Sequence, residues 1–200
     1  MDHDPFRYQA MFEDAGIDGE SLTVLLVRGG TRAEVLRVLG AAAEADPGPY
    51  PDLEDVDYSG YAVAEIAGGV VAFEHTGYAD PSPRVLATLS ELGGAAAVTR
   101  SNIQAHERFG CALDGDVVFD ADEFMYVDKE EKAAVPPQLR PIFDSAWFDL
   151  DAGGDAKVEP SGFVGFAMAA IHTDLVVTAE DLTRAAQQGY HRGRTLTYLE

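Results

Sequence analysis

The residues most able to do chemistry are charged and polar side chains inside predicted strands of the central part of the chain. They are Glu74, Arg100, Asn102, His106 and Arg108. If the strands that carry them are neighbours in a sheet, some of these side chains meet on one face. Such a cluster forms either a recognition patch or a small active site, although cross-strand ion pairs on a solvated face would use the same residues. We therefore expect a binding site at these five positions and assign no catalytic residue.

The sequence predicts no metal site, no cofactor and no catalytic nucleophile, which favours a protein that is not an enzyme. The five histidines are scattered and there is only one cysteine, whereas a metal centre needs clustered donors. Cys111 falls on the apolar side of a predicted strand, so we expect a buried, inert thiol. The glycine pair at 29–30 lacks the spacing of a nucleotide-binding loop. The acidic run 149–160 has glycine and proline where a calcium loop needs its fifth and twelfth ligands.

Acidic residues dominate the charge of the chain. Fourteen lysines and arginines stand against 35 aspartates and glutamates, which gives a formal net charge of −21. Nucleic acids and anionic membrane surfaces would be repelled, so neither is an expected partner. The acidity either serves solubility or matches a basic protein partner. The single cysteine and the lack of a signal peptide favour the cytoplasm.

The stretch from Tyr61 to Asp128 has the pattern of a sheet, and the other predicted elements pack on it. It predicts two strands, a helix and three more strands. Ala67-Gly68-Gly69 and Asp114-Gly115 are hairpin turn signals within this stretch. The apolar run 22–27 predicts one further strand, buried on both faces.

Two helices are predicted by their capping residues. Thr31 as N-cap with Glu34 in the capping-box position predicts a helix over 31–40, and Ser82 before a proline predicts a helix over 83–93. We therefore predict an α+β fold: a mostly antiparallel sheet of five to six strands with two helices on one face. A C-terminal helical segment is expected against an end or edge of the sheet.

The chain divides by composition into three stretches that we expect to form one domain. Residues 1–128 hold the α+β sheet, and 129–160 form an acidic, proline-containing connector with a short helix over 138–147. Residues 161–200 supply C-terminal helices that pack on the same domain. The segment after Gly189 is expected to be either a strand or a flexible tail.

Several segments resemble a known family in their order and spacing. They are the strand and helix at 23–40, the run Val70-Val-Ala-Phe-Glu-His-Thr-Gly77, and the segments 85–90, 98–109 and 178–182. Together they resemble an uncharacterised domain family of actinobacteria, of the Streptomyces type. The resemblance implies a cytoplasmic actinobacterial protein, and it brings no known activity.

Three functions are compatible with these observations. The first is a non-catalytic acidic binding module, such as an immunity-type inhibitor or a regulatory protein acting on a basic protein partner. The second is a small enzyme or ligand-binding protein that uses the polar sheet face. The third is an accessory factor encoded within a specialised-metabolite or defence gene cluster. The sequence gives no prediction of the oligomeric state or the identity of a ligand.

Overall fold

The computed structural model describes most of the chain. The described ranges are 3–19, 21–47, 57–102, 106–149 and 161–199. Most of the acidic run that was compared with a calcium loop lies outside these ranges. So do much of the proline-containing segment after Gly40 and the first residues of the strand predicted over 104–113.

Seven strands form one antiparallel sheet in the order β6-β5-β4-β1-β3-β2-β7. Their bounds are β1 (Leu22–Arg28), β2 (Tyr58–Ile66), β3 (Gly69–Glu74), β4 (Ala95–Ser101), β5 (Glu107–Leu113), β6 (Asp116–Asp122) and β7 (His191–Arg194). The prediction of an antiparallel α+β sheet is confirmed, but the prediction of five to six strands is wrong. The sequence left open whether the segment after Gly189 is a strand. It pairs with the start of β2, and its four residues carry too short a pattern to reveal this.

Seven α-helices accompany the sheet in the described ranges. They are α1 (Pro5–Asp14), α2 (Arg32–Val38), α3 (Pro83–Ser90), α4 (Lys129–Ala134), α5 (Arg140–Ala146), α6 (Ser161–Thr173) and α7 (Ala179–Gln187), with a 3₁₀ helix at Phe124–Tyr126. The N-caps expected at Thr31 and Ser82 are present, and Thr31 forms its capping box with Glu34. Asp128 forms a further capping box at the start of α4. Helix α4 lies in the segment 129–160, for which the sequence predicts a connector with a helix only over 138–147.

Alternating side chains of the sheet enter two separate apolar clusters, one on each face. On one face, Leu25 and Val27 of β1 pack with Leu36 of α2 and Leu86 of α3. On the other face, the residues in between pack against α1, α5, α6 and α7, as Val24 does. Strand β1 is therefore buried on both faces, which explains why it reads as one continuous apolar run.

Helix α6 packs across the middle of the sheet and not at an end or edge. It contacts β4, β1 and β5 on one side and α1 and α5 on the other. A helix covered on two sides must be apolar around its circumference, and this is the composition that α6 shows. The helix comes very close to β4 at Gly165, where an added Cβ would lie 2.1 Å from Oγ1 of Thr99.

The two edges of the sheet differ in how they are covered. Residues 41–46 bond with the β7 edge through bridges from Ala41 to Gly193 and from Asp46 to Tyr190. No described segment pairs with the outer side of β6. Among the described residues, no helix has both the length and the apolar character needed to cross a membrane.

Candidate functional site

A row of polar residues crosses five neighbouring strands on the sheet face that α2 and α3 cover. Pairing in register places these residues side by side in the order Glu74, Thr23, Arg100, Arg108 and Asp122. We call this set the polar row. Three of the five residues expected to form a binding site, Glu74, Arg100 and Arg108, are thus brought together on one face. The register that aligns them could not be derived from alternation alone.

The polar row holds the loop that leads from β3 into α3. The Glu74 carboxylate accepts hydrogen bonds from the backbone N–H and the hydroxyl of Thr76, at 2.9 Å and 2.5 Å. The Thr23 hydroxyl donates to the Ala79 carbonyl at 2.6 Å, and Nε of Arg100 donates to the Gly77 carbonyl at 2.6 Å. A fully buried carboxylate needs such donors. The hydrogen bonds from Thr76 therefore stabilise both the buried Glu74 carboxylate and this conformation of the loop.

Arg108 is a second fully buried charged group of the row, with its side chain only 1% exposed. Its guanidinium makes two parallel bonds to the Asp120 carboxylate, both 2.8 Å long. Nη1 also donates to Asp80 at 2.5 Å and to the Pro81 carbonyl at 2.7 Å. Burial disfavours its charge, but Asp120 and Asp80 more than offset that effect, so the pKa of Arg108 is raised. This side chain therefore ties β5, β6 and the loop before α3 together.

The chain after β7 also reaches the polar row. The Leu196 carbonyl accepts a hydrogen bond from the Asp80 backbone N–H at 2.9 Å. The ring of Tyr198 lies 4.7 Å from the guanidinium carbon of Arg108. Burial and the nearby Glu74 carboxylate raise the pKa of Tyr61, which packs on the same face of the sheet. Glu74, Thr23, Arg100 and Arg108 are thus largely covered by protein and bonded within it, whereas Asp122 at the end of the row is exposed.

The other two expected binding residues lie at the end of β4 and the start of β5. Oδ1 of Asn102 accepts from the His106 backbone N–H at 3.2 Å. His106 is about half exposed, and its Nδ1 lies 2.8 Å from Oε1 of Glu123. In the described part of the chain, His106, Asp122 and Glu123 are the one group whose donor atoms, all within 4.8 Å, could hold a metal ion. Asp122 and Glu123 come from beyond the hairpin, so spacing along the sequence does not reveal this group.

The outer side of β6 carries carboxylates next to exposed apolar side chains. Leu113, Val117 and Val118 are 46%, 38% and 39% exposed. Asp114, Asp116 and Asp122 are exposed beside them. We call these six residues the acidic edge. It begins at the Asp114-Gly115 turn, where both residues have positive φ, as a two-residue hairpin turn requires.

Sequence reasoning missed the residues that complete these sites. Asp80 and Asp120 hold Arg108, but in so acidic a chain an aspartate carries little information on its own. The sequence contains a signal for the acidic edge, because charged and apolar residues do not alternate regularly at 113–122. Only the strand order shows that this strand lies at the border of the sheet.

Cys111 has the buried position that was expected for it. It is fully buried beside Phe119 in the cluster under α5 and α6. Burial raises the pKa of the thiol to about 12. A thiol in this environment is protonated at neutral pH and is a poor nucleophile.

Comparison with known proteins gives one match. The sequence model of a family described as a family of unknown function (DUF6461) matches residues 8–190. No curated protein and no solved structure matches the chain.

Proposed function

Because the chain belongs to this family of unknown function (DUF6461), which brings no activity with it, we propose from its geometry that it is a non-catalytic acidic binding module. Its partner is a basic protein, and the module acts as an immunity-type inhibitor or as a regulatory or accessory protein. The observation that carries the proposal is the acidic edge: a border strand with which no described segment pairs, and with carboxylates beside exposed apolar side chains.

The backbone of β6 can accept a further strand. Its inner side pairs with β5, and within the described residues its outer N–H and C=O groups have no backbone partner. An extended segment of another protein can add to such an edge through main-chain hydrogen bonds. The register shifts at Val118, which has no partner on β5. The bulge bends the strand, so an added segment would pair chiefly with Phe119–Asp122.

The side chains of the acidic edge select the type of segment. Asp116 and Asp122 would repel the same edge of a second copy, which is how proteins commonly prevent pairing between edges. The same carboxylates would attract lysine or arginine side chains of a basic partner. Val117 and Val118 add apolar surface that can be buried in the contact. The edge thus disfavours self-association and favours a basic strand.

The expected binding residues contribute by positioning this edge. Arg108 fixes β6 through Asp120, and Glu74 and Arg100 fix the loop that carries Asp80. His106 bonds with Glu123 directly after β6. Charges that are already paired inside the protein add little direct attraction for a partner. In this proposal they keep the edge rigid, which lowers the entropic cost of binding.

A paired capture experiment tests the proposal. The wild-type protein, an Asp116→Lys/Asp122→Lys variant and a Glu13→Lys/Glu44→Lys control are used as baits in lysate of the organism that encodes the protein. The two variants change the net charge equally, and the control residues are exposed. Glu13 lies on α1, which packs against α6 and α7, and Glu44 lies in the segment that bridges to β7 at the opposite border of the sheet. Captures are compared at about 50 mM and about 300 mM salt, where the screening length falls from roughly 14 Å to roughly 6 Å.

We expect one basic protein to be retained by the wild type and the control at low salt and to be lost from the edge variant. Its retention should weaken at high salt, because the attraction between charges is screened. Equal capture by the edge variant and the control would overturn the proposed site. Empty baits at both salt concentrations would overturn the proposed function.

A further inference from the structure

A cavity of about 670 Å³ lies beside α2, away from the acidic edge. Its lining comes from α2, from the segment that follows it and from β2. The lining includes Arg32, Ala33, Leu36, Arg37, Ala41 and Glu65. A volume of this size falls within the range of roughly 300–1,000 Å³ that small-molecule sites occupy.

The lining of this cavity has a net positive charge, whereas the protein as a whole is strongly acidic. It has two arginines and one glutamate in a chain whose formal net charge is −21. The Glu65 carboxylate accepts from the backbone N–H of Arg32 at 2.9 Å and forms no ion pair with either guanidinium. The guanidinium of Arg37 makes no hydrogen bond or ion pair with any described residue, although its charge adds to the Thr31 hydrogen bonds that lower the pKa of the Glu34 carboxyl. The hydrogen-bond donors of this guanidinium are therefore open to a ligand.

Two side-chain contacts hold the guanidinium of Arg32 in place. Its Nη1 donates to Oε1 of Gln188 at 3.0 Å, and its Nη2 contacts Nε2 of His191. His191 is fully buried, and its Nδ1 lies 2.7 Å from the Ala42 carbonyl. Because that carbonyl can only accept, Nδ1 carries the proton and Nε2 accepts from Arg32. His191 thus connects the arginine to Ala42, the chain neighbour of the lining residue Ala41.

We propose that this cavity binds a small organic anion. Its acidic head group contacts the guanidinium groups of Arg32 and Arg37, and its apolar body lies against Ala33, Leu36 and Ala41. Arginine suits this role because it offers several donors in a planar arrangement that matches carboxylate and phosphate groups. The site is distinct from the acidic edge, so its test does not depend on the protein partner.

Fluorescence titration with 8-anilinonaphthalene-1-sulfonate, an aromatic anion, tests the proposal. The variants are Arg37→Ala, Ala33→Trp to fill the cavity, and Arg84→Ala as the matched control. Arg84 is an exposed helical arginine on α3 that does not line the cavity. We expect Arg37→Ala to weaken binding about tenfold, the size of one lost charge-assisted contact. Ala33→Trp should abolish binding, and Arg84→Ala should leave it unchanged.

Competition with octanoate, octyl phosphate and uncharged octanol distinguishes the head groups. Displacement of the probe by octanoate identifies a carboxylate site, and displacement by octyl phosphate identifies a phosphate site. Octanol should compete at least tenfold more weakly than the better anion. Equal competition by octanol would overturn the proposal, and so would equal affinity of Arg37→Ala and Arg84→Ala. Unchanged binding to Ala33→Trp would place the probe elsewhere and would also overturn it.

Discussion

The Arg108 side chain connects three parts of the structure, namely β5, β6 and the loop before α3. It is buried and bonds with carboxylates on β6 and on the loop before α3. Removing one partner of a buried ion pair leaves uncompensated charge in a poorly solvated place, which costs far more than the pair contributes. The two aspartates would then have to take up protons, recruit water or move apart.

We predict that Arg108→Ala lowers the free energy of unfolding by about 3–5 kcal/mol. Urea denaturation followed by circular dichroism measures the change. Arg84→Ala, which removes an exposed arginine, should stay within about 0.5 kcal/mol of the wild type. A loss for Arg108→Ala as small as that of this control would show that the ion pairs around Asp80 and Asp120 contribute nothing to stability.

His172 gives the folded protein a pH-dependent stability. Burial lowers its pKa from the ordinary value of 6.5, although its contact with the Ala112 carbonyl opposes the shift. Its Nδ1 is buried and has no hydrogen-bond partner in the described part of the chain. Below pH 6.5 the unfolded chain therefore takes up a proton that the folded chain resists, and stability is lost as the pH falls.

We predict that His172→Gln loses less stability than the wild type between about pH 7 and about pH 5.5. Glutamine can keep the hydrogen bond to the carbonyl but does not titrate. Urea denaturation at both pH values gives the difference, and His106→Gln at an exposed position is the control. Parallel losses in the wild type and His172→Gln would contradict the account of the buried imidazole.

Helix α6 shows how closely the elements of this fold approach one another. Gly165 lets the helix lie directly on β4, because any Cβ at this position would meet the side chain of Thr99. Thr99 is branched at Cβ and cannot rotate all of its atoms away. The apolar, glycine-containing composition of α6 thus follows from its central place between the sheet and α1.

We predict that Gly165→Ala destabilises the protein by about 1–3 kcal/mol, although alanine is the better helix former. The double variant Gly165→Ala/Thr99→Ala should recover part of the loss, because the hydroxyl that clashes is gone. Thermal unfolding of the two variants, compared with Thr99→Ala alone, measures this coupling. If Gly165→Ala were as stable as the wild type, α6 and β4 would have to be farther apart than described.

The elements were more predictable from the sequence than their arrangement. Caps at Thr31 and Ser82 and the turn at Asp114-Gly115 are local signals, and the structure contains all of them. The seventh strand and the central place of α6 depend on tertiary contacts, which local patterns do not encode. The polar row depends in the same way on the register between strands.

On the scale of the whole molecule, charge is distributed unevenly. Several basic side chains are used in ion pairs, such as Arg108 with Asp120 and Lys132 with Asp144. Because the acidic residues far outnumber the basic ones, many carboxylates have no basic partner, and several of these lie along the acidic edge. A long-range field of this sign steers a basic partner toward the protein before contact.

We predict that association with the captured partner slows at least tenfold as salt rises from about 50 mM to about 300 mM, while dissociation changes less. Stopped-flow or surface-based kinetics measures both rates. Asp116→Lys/Asp122→Lys should reduce the salt dependence more than the control pair Glu13→Lys/Glu44→Lys. Equal effects of the two variants would assign the steering to total charge and not to the edge.

The most direct test of the binding account is amide hydrogen exchange of the protein alone and with its captured basic partner. The account predicts that the outward-pointing amides of Phe119–Asp122 become protected on binding, because an added strand satisfies these N–H groups of β6. The amides of α7, which packs on β2 toward the other end of the sheet, should exchange as before. Protection confined to other elements, with β6 unchanged, would contradict the central claim that the acidic edge receives the partner.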